Sequence, residues 1–282
     1  VDADTKALAP DLAFTSTGIP CVVFFDDAAG EVKFAYRLAP ANPWVVETVD
    51  SCNASNPHYS LEISDSDRIG ISYFGATDDL RYAYKSSVTS GSWAPVTADS
   101  AGDVGTYTSL AFDSSTRPRI AYHDVTQNRL KYASGSSSSG GTWTQEVVDA
   151  TARAGILGVS LLLDEDNIPH IAYSADGPDD LNYAVKGAFW AITGVDTTGS
   201  VGRYPSIAMN PAGFPAISYL DTSGNSVNYA EFDGSVWNIA IAYDEDAGFS
   251  KTTLVFTPSG QPWIIHLDGG LFYTARGLAP GP

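Results

Sequence analysis

Ser109-Leu110-Ala111-Phe112-Asp113 leads through Arg117-Pro118 into Ile120-Ala121-Tyr122 and then Leu130-Lys131-Tyr132-Ala133. The phrase returns as Ser160-Leu161-Leu162-Leu163-Asp164, Pro169, Ile171-Ala172-Tyr173 and Leu181-Asn182-Tyr183-Ala184. It returns again as Ser206-Ile207-Ala208-Met209-Asn210, Pro215, Ile217-Ser218-Tyr219 and Val227-Asn228-Tyr229-Ala230. Weaker copies begin at Asp11-Leu12, Ser60-Leu61 and Thr253-Leu254. The aromatic of the third segment falls at Phe34, Tyr82, Tyr132, Tyr183, Tyr229 and Tyr273, at spacings of 48, 50, 51, 46 and 44 residues. Periods of this size belong to propeller blades, β-solenoids or helical arrays. Each copy is a set of short alternating runs split by Gly, Pro and Asp, which excludes the helical array.

Inside the phrase, large Leu110 and Phe112 alternate with small Ser109 and Ala111, and Ile120 and Tyr122 flank Ala121. A period of two gives each strand one bulky face and one small face, so neighbouring sheets can seat the first against the second. A fourth run opens with Trp44, Trp93, Trp143, Trp190 and Trp237 in five of the copies. First hairpins end in Gly18-Ile19-Pro20, Gly213-Phe214-Pro215 and Gly260-Gln261-Pro262, where Gly supplies positive φ and Pro opens the next strand. The expectation is an all-β, single-domain chain over 1–282: a six-bladed β-propeller of four-stranded antiparallel blades. Its units run at about 9–56, 57–105, 106–156, 157–202, 203–249 and 250–276, with 277–282 as a tail. This overrides the two domains suggested by length, and a linear solenoid would need capping units and shorter rungs. The sixth copy lacks a Trp run, while Val1-Asp2-Ala3 matches the close of a fourth run such as Val148-Asp149-Ala150. The N-terminal stretch is therefore expected to add an outer strand to the last blade, a partial velcro closure.

Asp and Glu number 33 against 15 Lys and Arg, a net charge of −18. That excludes a binder of nucleic-acid phosphates and disfavours docking on anionic membranes, both of which require basic clusters. No uninterrupted apolar run reaches the roughly eighteen residues of a membrane-spanning helix, so membrane insertion is not expected. The N-terminus has neither the basic nor the apolar stretch of a signal peptide, which reads as a signal already removed from an extracellular or cell-surface protein.

The repeated string resembles the repeats of secreted bacterial β-propellers, which implies a scaffold set within a larger multidomain surface protein. Ser136-Ser137-Ser138-Ser139-Gly140-Gly141-Thr142-Trp143 also resembles a degenerate Asp-box of the sialidase-like propellers, with Ser138 at the Asp position; Ser86 to Trp93 departs further. Asp-boxes are structural turns, so this resemblance implies no sialidase activity. The arginines, among them Arg37, Arg81, Arg129 and Arg203, show no repeated placement that would assemble a carboxylate-binding triad.

His58, His123, His170 and His266 lie in four different units, and there is no His-Glu-x-x-His or Cys-x-x-Cys. Asp164-Glu165-Asp166-Asn167 has part of the oxygen-rich pattern of a calcium loop but lacks its full run and distal Glu; Ca2+ is the one metal left open, and no other cofactor is expected. Asp244-Glu245-Asp246 reads the same way. Asp26, Asp124, Asp221 and Asp268 recur at the exit of the second strand, as turn caps do. No nucleophile elbow or phosphate loop is present, and no catalytic set is read. Cys21 and Cys52 fall at opposite ends of their strands and are expected to stay unpaired.

The informative position is the entrance to each first strand, occupied by Ala9, His58, Tyr107, Gly158, Tyr204 and Lys251. By strand parity it lies at the mouth of a propeller's channel, with Asp124 and Asp221 further out. Aromatic faces beside His and Lys suit sugars. His58, Tyr107, Tyr204, Lys251, Asp124 and Asp221 are thus the candidate ligand-binding residues of a non-catalytic extracellular recognition or adhesion module, its partner a glycan or a protein. The alternatives are a glycan lyase or hydrolase on the same face, and a structural spacer.

Overall fold

The computed structural model describes residues 7–175, 179–244, 251–268 and 271–276; for 7–9, 267–268 and 271–276 it describes the backbone alone. The chain divides into two compact units, Val1–Gln127 with Lys131–Val147 and Asn128–Leu130 with Val148–Pro282.

The first unit holds the sheets β1 (Ala7–Phe14), β2 (Pro20–Asp26), β3 (Glu31–Tyr36), β4 (Val45–Ser51) and β5 (Tyr59–Ile63), β6 (Ile69–Phe74), β7 (Leu80–Lys85), β8 (Val96–Asp99). It also holds most of β9 (Val104–Phe112), β10 (Pro118–Asp124), β11 (Arg129–Ser137), β12 (Gly140–Asp149). The second holds β13 (Val159–Leu163), β14 (Pro169–Ala175), β15 (Asp180–Lys186), β16 (Trp190–Asp196) and β17 (Val201–Met209), β18 (Pro215–Asp221), β19 (Ser226–Phe232), β20 (Trp237–Tyr243). A three-stranded sheet, β21 (Thr253–Phe256), β22 (Pro262–Asp268), β23 (Leu271–Arg276), completes it. Every sheet is a meander in chain order, which is what short hairpin connections produce. The fourth strand expected from Val1-Asp2-Ala3 lies outside the described residues.

Local chemistry explains the hairpins between first and second strands. Thr15, Ser64, Asp113, Asp164, Asn210 and Thr257 each accept, through a side-chain oxygen, the backbone N–H four residues on, at 2.8–3.1 Å. Gly18, Gly213 and Gly260 take φ of +80°, +81° and +82° in these turns, and Asp67, Thr116 and Asn167 hold the same left-handed position in the others. Asp164 therefore spends one oxygen on its own turn, and its other oxygen lies 3.3 Å from His170 Nε2. Among the described residues no three His, Cys, Asp or Glu side chains gather as a metal site would require.

Within each unit, three kinds of contact join one sheet to the next. At the first strands, Leu61 N–H donates to Asp11 Oδ2 at 2.9 Å and Leu110 N–H to Ser60 Oγ at 3.2 Å. In the second unit Ile207 N–H donates to Ser160 Oγ at 3.1 Å and Leu254 N–H to Ser206 Oγ at 3.0 Å. The second-strand tyrosine of one sheet also donates to the fourth-strand aspartate of the sheet before it. The pairs are Tyr73 to Asp50, Tyr122 to Asp99, Tyr173 to Asp149 and Tyr219 to Asp196, at 2.5–2.7 Å. A register shift just before this aspartate, seen against β3, β7 and β15, turns it toward the next sheet. Trp93 packs edge-on against Phe34, Trp143 against Tyr82 and Trp237 against Tyr183, with ring centroids 5.2–5.5 Å apart. Tyr73, Tyr122, Tyr173 and Tyr219 are all among the largest fully buried side chains. Cys21 and Cys52 are free and buried, and burial pushes both thiols up to about 12.

Candidate functional site

In the first unit the entrance to β9 is broken twice. Its register against β10 slips between Ala121 and His123 and again between His123 and Asp124, leaving Gly105 and Tyr107 on successive bulges. In the second unit β17 slips at the corresponding places against β18, around Gly202 and Tyr204. Both breaks carry the sequence Val-Gly-x-Tyr, as Val104-Gly105-Thr106-Tyr107 and Val201-Gly202-Arg203-Tyr204. The glycine is required by a close approach. A Cβ on Gly105 would stand 2.9 Å from Leu80 Cα, and one on Gly202 would stand 2.6 Å from Leu181 N. The tyrosine is held in a conformation that bulky residues avoid, with φ of 50° at Tyr107 and 48° at Tyr204. Such a backbone costs about 1–3 kcal/mol and persists only where its surroundings enforce it. For Tyr204 the enforcement is direct. Its N–H donates to Leu157 O at 2.9 Å, and its carbonyl accepts from Thr252 Oγ1 at 3.0 Å.

The candidate residues distribute between these two breaks. His58 stacks on Tyr107 with ring centroids 4.2 Å apart at 43°, both partly exposed. Tyr204 packs partly buried on the cluster containing Leu220, Leu254 and Ile264. Gly158, at φ +135°, lies against the Tyr204–Pro205 backbone, where a Cβ would meet Pro205 Cδ at 2.6 Å. Lys251 is exposed and immediately precedes Thr252, the residue bonded to Tyr204. The side chain of Ala9 lies outside the described residues. Asp124 is fully buried and accepts from Gln127 N–H at 2.9 Å, while Asp221 accepts from Ser223 and Gly224 N–H at 2.9 and 2.7 Å. These two carboxylates hold turns, and each pairs in register with the valine that opens a Val-Gly-x-Tyr break, Val104 or Val201.

The two breaks differ electrically. Beside Tyr107, burial together with the charges of Asp78 and Asp124 raises the Asp103 carboxyl above the usual carboxylate range, with His123 opposing. Beside Tyr204, burial would raise Asp179, yet hydrogen bonds from Arg203 and Ser200 hold it below that range. The other three histidines are core residues. His123 and His266 are about 1% exposed, and His170 bonds the Tyr183 hydroxyl while burial lowers its basicity despite Asp164.

Sequence reading singled out Tyr107 and Tyr204 but not their left-handed backbone, nor Gly105 and Gly202, although the Val-Gly-x-Tyr string was there to find. Nor did it find a cleft of about 450 Å3 lined by Thr97, Ala98, Asp99, Ser100, Ala101, Trp143 and Gln145. Its one charged group, Asp99, is committed to Lys131 and Tyr122.

The sequence matches no protein-family model and no curated protein. The structure does have relatives. The lectin SapL1, solved in complex with α-methyl fucoside, superposes with a TM-score of 0.63 at 13% identity over 97% of both chains. The fucose-specific lectin from Aleuria aurantia gives 0.60 at 14% identity over 96% of both. An ulvan lyase, from a polysaccharide-lyase family and bound to -[GlcA(1-4)Rha3S]-, gives 0.65 at 11% identity over 93% of this chain and 79% of that one. The fold is a β-propeller. At these identities the likeness carries the architecture, five four-stranded sheets and a partial sixth matching the six-bladed propellers of the fucose lectins, and no Asp-box pattern accompanies it.

Proposed function

We propose that this chain is a non-catalytic, extracellular glycan-binding propeller that meets its ligand at the Val-Gly-x-Tyr breaks. Its site residues are His58 and Tyr107 in the first unit and Tyr204 and Lys251 in the second, with Asp124 and Asp221 as supports of the breaks. The observation that carries this reading is the left-handed backbone at Tyr107 and Tyr204, at 50° and 48°. A scaffold needing only a filled position would take Gly or Asn there; strain kept on a bulky, half-exposed ring points to a use for that ring. An exposed aromatic face with donors alongside is what a sugar's apolar face and hydroxyls require. The shared fold of SapL1 and the Aleuria aurantia lectin, whose structures hold fucosides or are named for fucose, supports the choice of glycan over protein.

A glycan array followed by titration of Tyr107→Ala and Tyr204→Ala tests this. Truncating an aromatic anchor is expected to weaken binding about thirtyfold with folding retained, while Gln261→Ala in a hairpin is silent. Unchanged affinity in both tyrosine variants sinks the assignment. The stacked His58–Tyr107 pair favours one second reading, a lyase, because an imidazole beside a phenol supplies the base and acid of β-elimination. Ultraviolet detection of unsaturated uronate products after incubation with uronate polymers would establish turnover and displace the lectin reading.

A further inference from the structure

We propose that Tyr204 and Lys251 form a subsite for the anionic group, a carboxylate or sulfate, of an acidic glycan, which rests on the glycan-binding reading above. The argument begins with the scarcity of positive charge, 15 Lys and Arg against 33 Asp and Glu. Nearly all of that charge is spent locally. Lys33, Lys85 and Lys131 sit on Glu31, Glu47 and Asp99, and Arg203 sits on Asp179. Arg81 holds Asp50, Arg117 and Arg119 share Asp113, Arg68 holds a carbonyl, and Arg37 lies over Trp44. The remaining described cations other than Lys251 also have partners. Lys251 is exposed, and its side chain contacts none of the described residues as an ion pair, hydrogen-bond donor or ring partner.

Its place is fixed by its neighbours. Thr252 Oγ1 reaches Tyr204 O at 3.0 Å and Ser218 O at 3.1 Å, and Leu254 N–H reaches Ser206 Oγ at 3.0 Å. The Lys251 backbone is thus held within one residue of a direct bond to Tyr204. On the flank of Tyr204 the Arg203 guanidinium is taken up by Asp179. At the equivalent break of the first unit, Asp103 stands among the charges of Asp78 and Asp124, and the nearby cation Lys131 is held by Asp99 and lies 3.9 Å from Asp124. One motif therefore occurs twice, once among carboxylates and once with the exposed Lys251 one residue from its tie to Thr252. An exposed ammonium with no partner among the described residues, in a molecule of net charge −18, attracts anionic oxygens while the ring takes the sugar face.

The test titrates the protein with three probes: α-methyl fucoside, a glucuronate oligosaccharide and a sulfated galactan oligosaccharide. Lys251→Gln, at an exposed position, should leave the melting curve intact and weaken the acidic probe about tenfold, flattening its salt dependence, with a smaller loss for α-methyl fucoside. Tyr204→Ala should weaken the acidic probe more than the fucoside, and Tyr107→Ala should weaken the two alike. Comparing glucuronate with sulfated galactan tells which anion is taken. Equal affinity of wild type and Lys251→Gln for whichever acidic probe binds overturns the subsite. Binding of the fucoside with neither acidic probe bound overturns it too, while leaving the glycan reading standing. Binding of none of the three removes both.

Discussion

Glycine and tyrosine at the Val-Gly-x-Tyr breaks are constrained in opposite senses, the one by what a side chain would strike and the other by the backbone it must hold. Gly202 faces the Leu181 backbone at 2.6–2.7 Å, whereas Gly213, in a hairpin at φ +81°, has nothing within 4 Å of its would-be Cβ. Gly213→Ala should cost about 1 kcal/mol from backbone strain alone, and Gly202→Ala about 3 kcal/mol or more, since two sheets must part. Equal midpoints for the two variants in urea denaturation would contradict the close approach. Glu62 breaks the repeat differently. It stands in β5 where other units place Ala13, Ala111, Leu162, Ala208 and Val255. Burial, with Asp11 and Asp65 nearby, raises its carboxyl from about 4.5 to about 8. A folded-state pKa above the unfolded one means the stability is complete below pH 4.5 and drains away as pH rises toward 8. Glu62→Gln should therefore match the wild-type melting temperature at pH 4 and exceed it at pH 8; a gap that instead widens on acidification would reverse the sign.

At the level of strands, the tyrosine–aspartate ties are not equivalent across the molecule. Arg81 and Lys131 join the Asp50 and Asp99 ties, while Asn182 and Asn228 occupy the matching positions beside Tyr173 and Tyr219. Tyr219→Phe removes the hydroxyl donor that Asp196 has from the next sheet, at an expected cost of about 2 kcal/mol. Tyr122→Phe should cost about half as much, because Lys131 still holds Asp99. Differential scanning calorimetry on the pair settles the order, and a larger loss in Tyr122→Phe would refute it. These ties also mark how far the sequence could be read. The alternation of bulky and small residues showed which face of each strand packs, and the Trp runs marked the fourth strands, opening β16 and β20, whereas β8 begins at Val96, after Trp93, and β12 at Gly140, before Trp143. What stayed hidden was polar. The serine of Ser-Leu-Ala-Phe looked like a small filler, yet Ser60, Ser160 and Ser206 each accept an N–H from the next sheet. Its partner is a backbone group, which leaves no residue type in the sequence to betray it.

Across the whole chain, local pairing leaves a large excess of carboxylates, and their mutual repulsion is felt at distances that salt shortens to about 8 Å near physiological ionic strength. Moderate NaCl should raise the melting temperature, and a fall on adding it would show that surface ion pairs outweigh repulsion. The architecture was legible at this scale because a repeat states its own period. The site was legible only as a set of positions, since variation at His58, Tyr107, Tyr204 and Lys251 was visible but the strain at two of them was not. The three joints between sheets have a further consequence, for heredity. The sheet β5–β8 shows the full set: the Leu61 N–H, the Tyr73 hydroxyl and the Trp93 ring on one side, and the Ser60 oxygen, Asp99 and Tyr82 on the other. A tandem duplication of one unit therefore delivers both halves of every joint at once, ready to engage their copies. Chains of this kind can lengthen or shorten by whole units with no compensating substitution, whereas a crossover inside a unit strands an aspartate without its tyrosine.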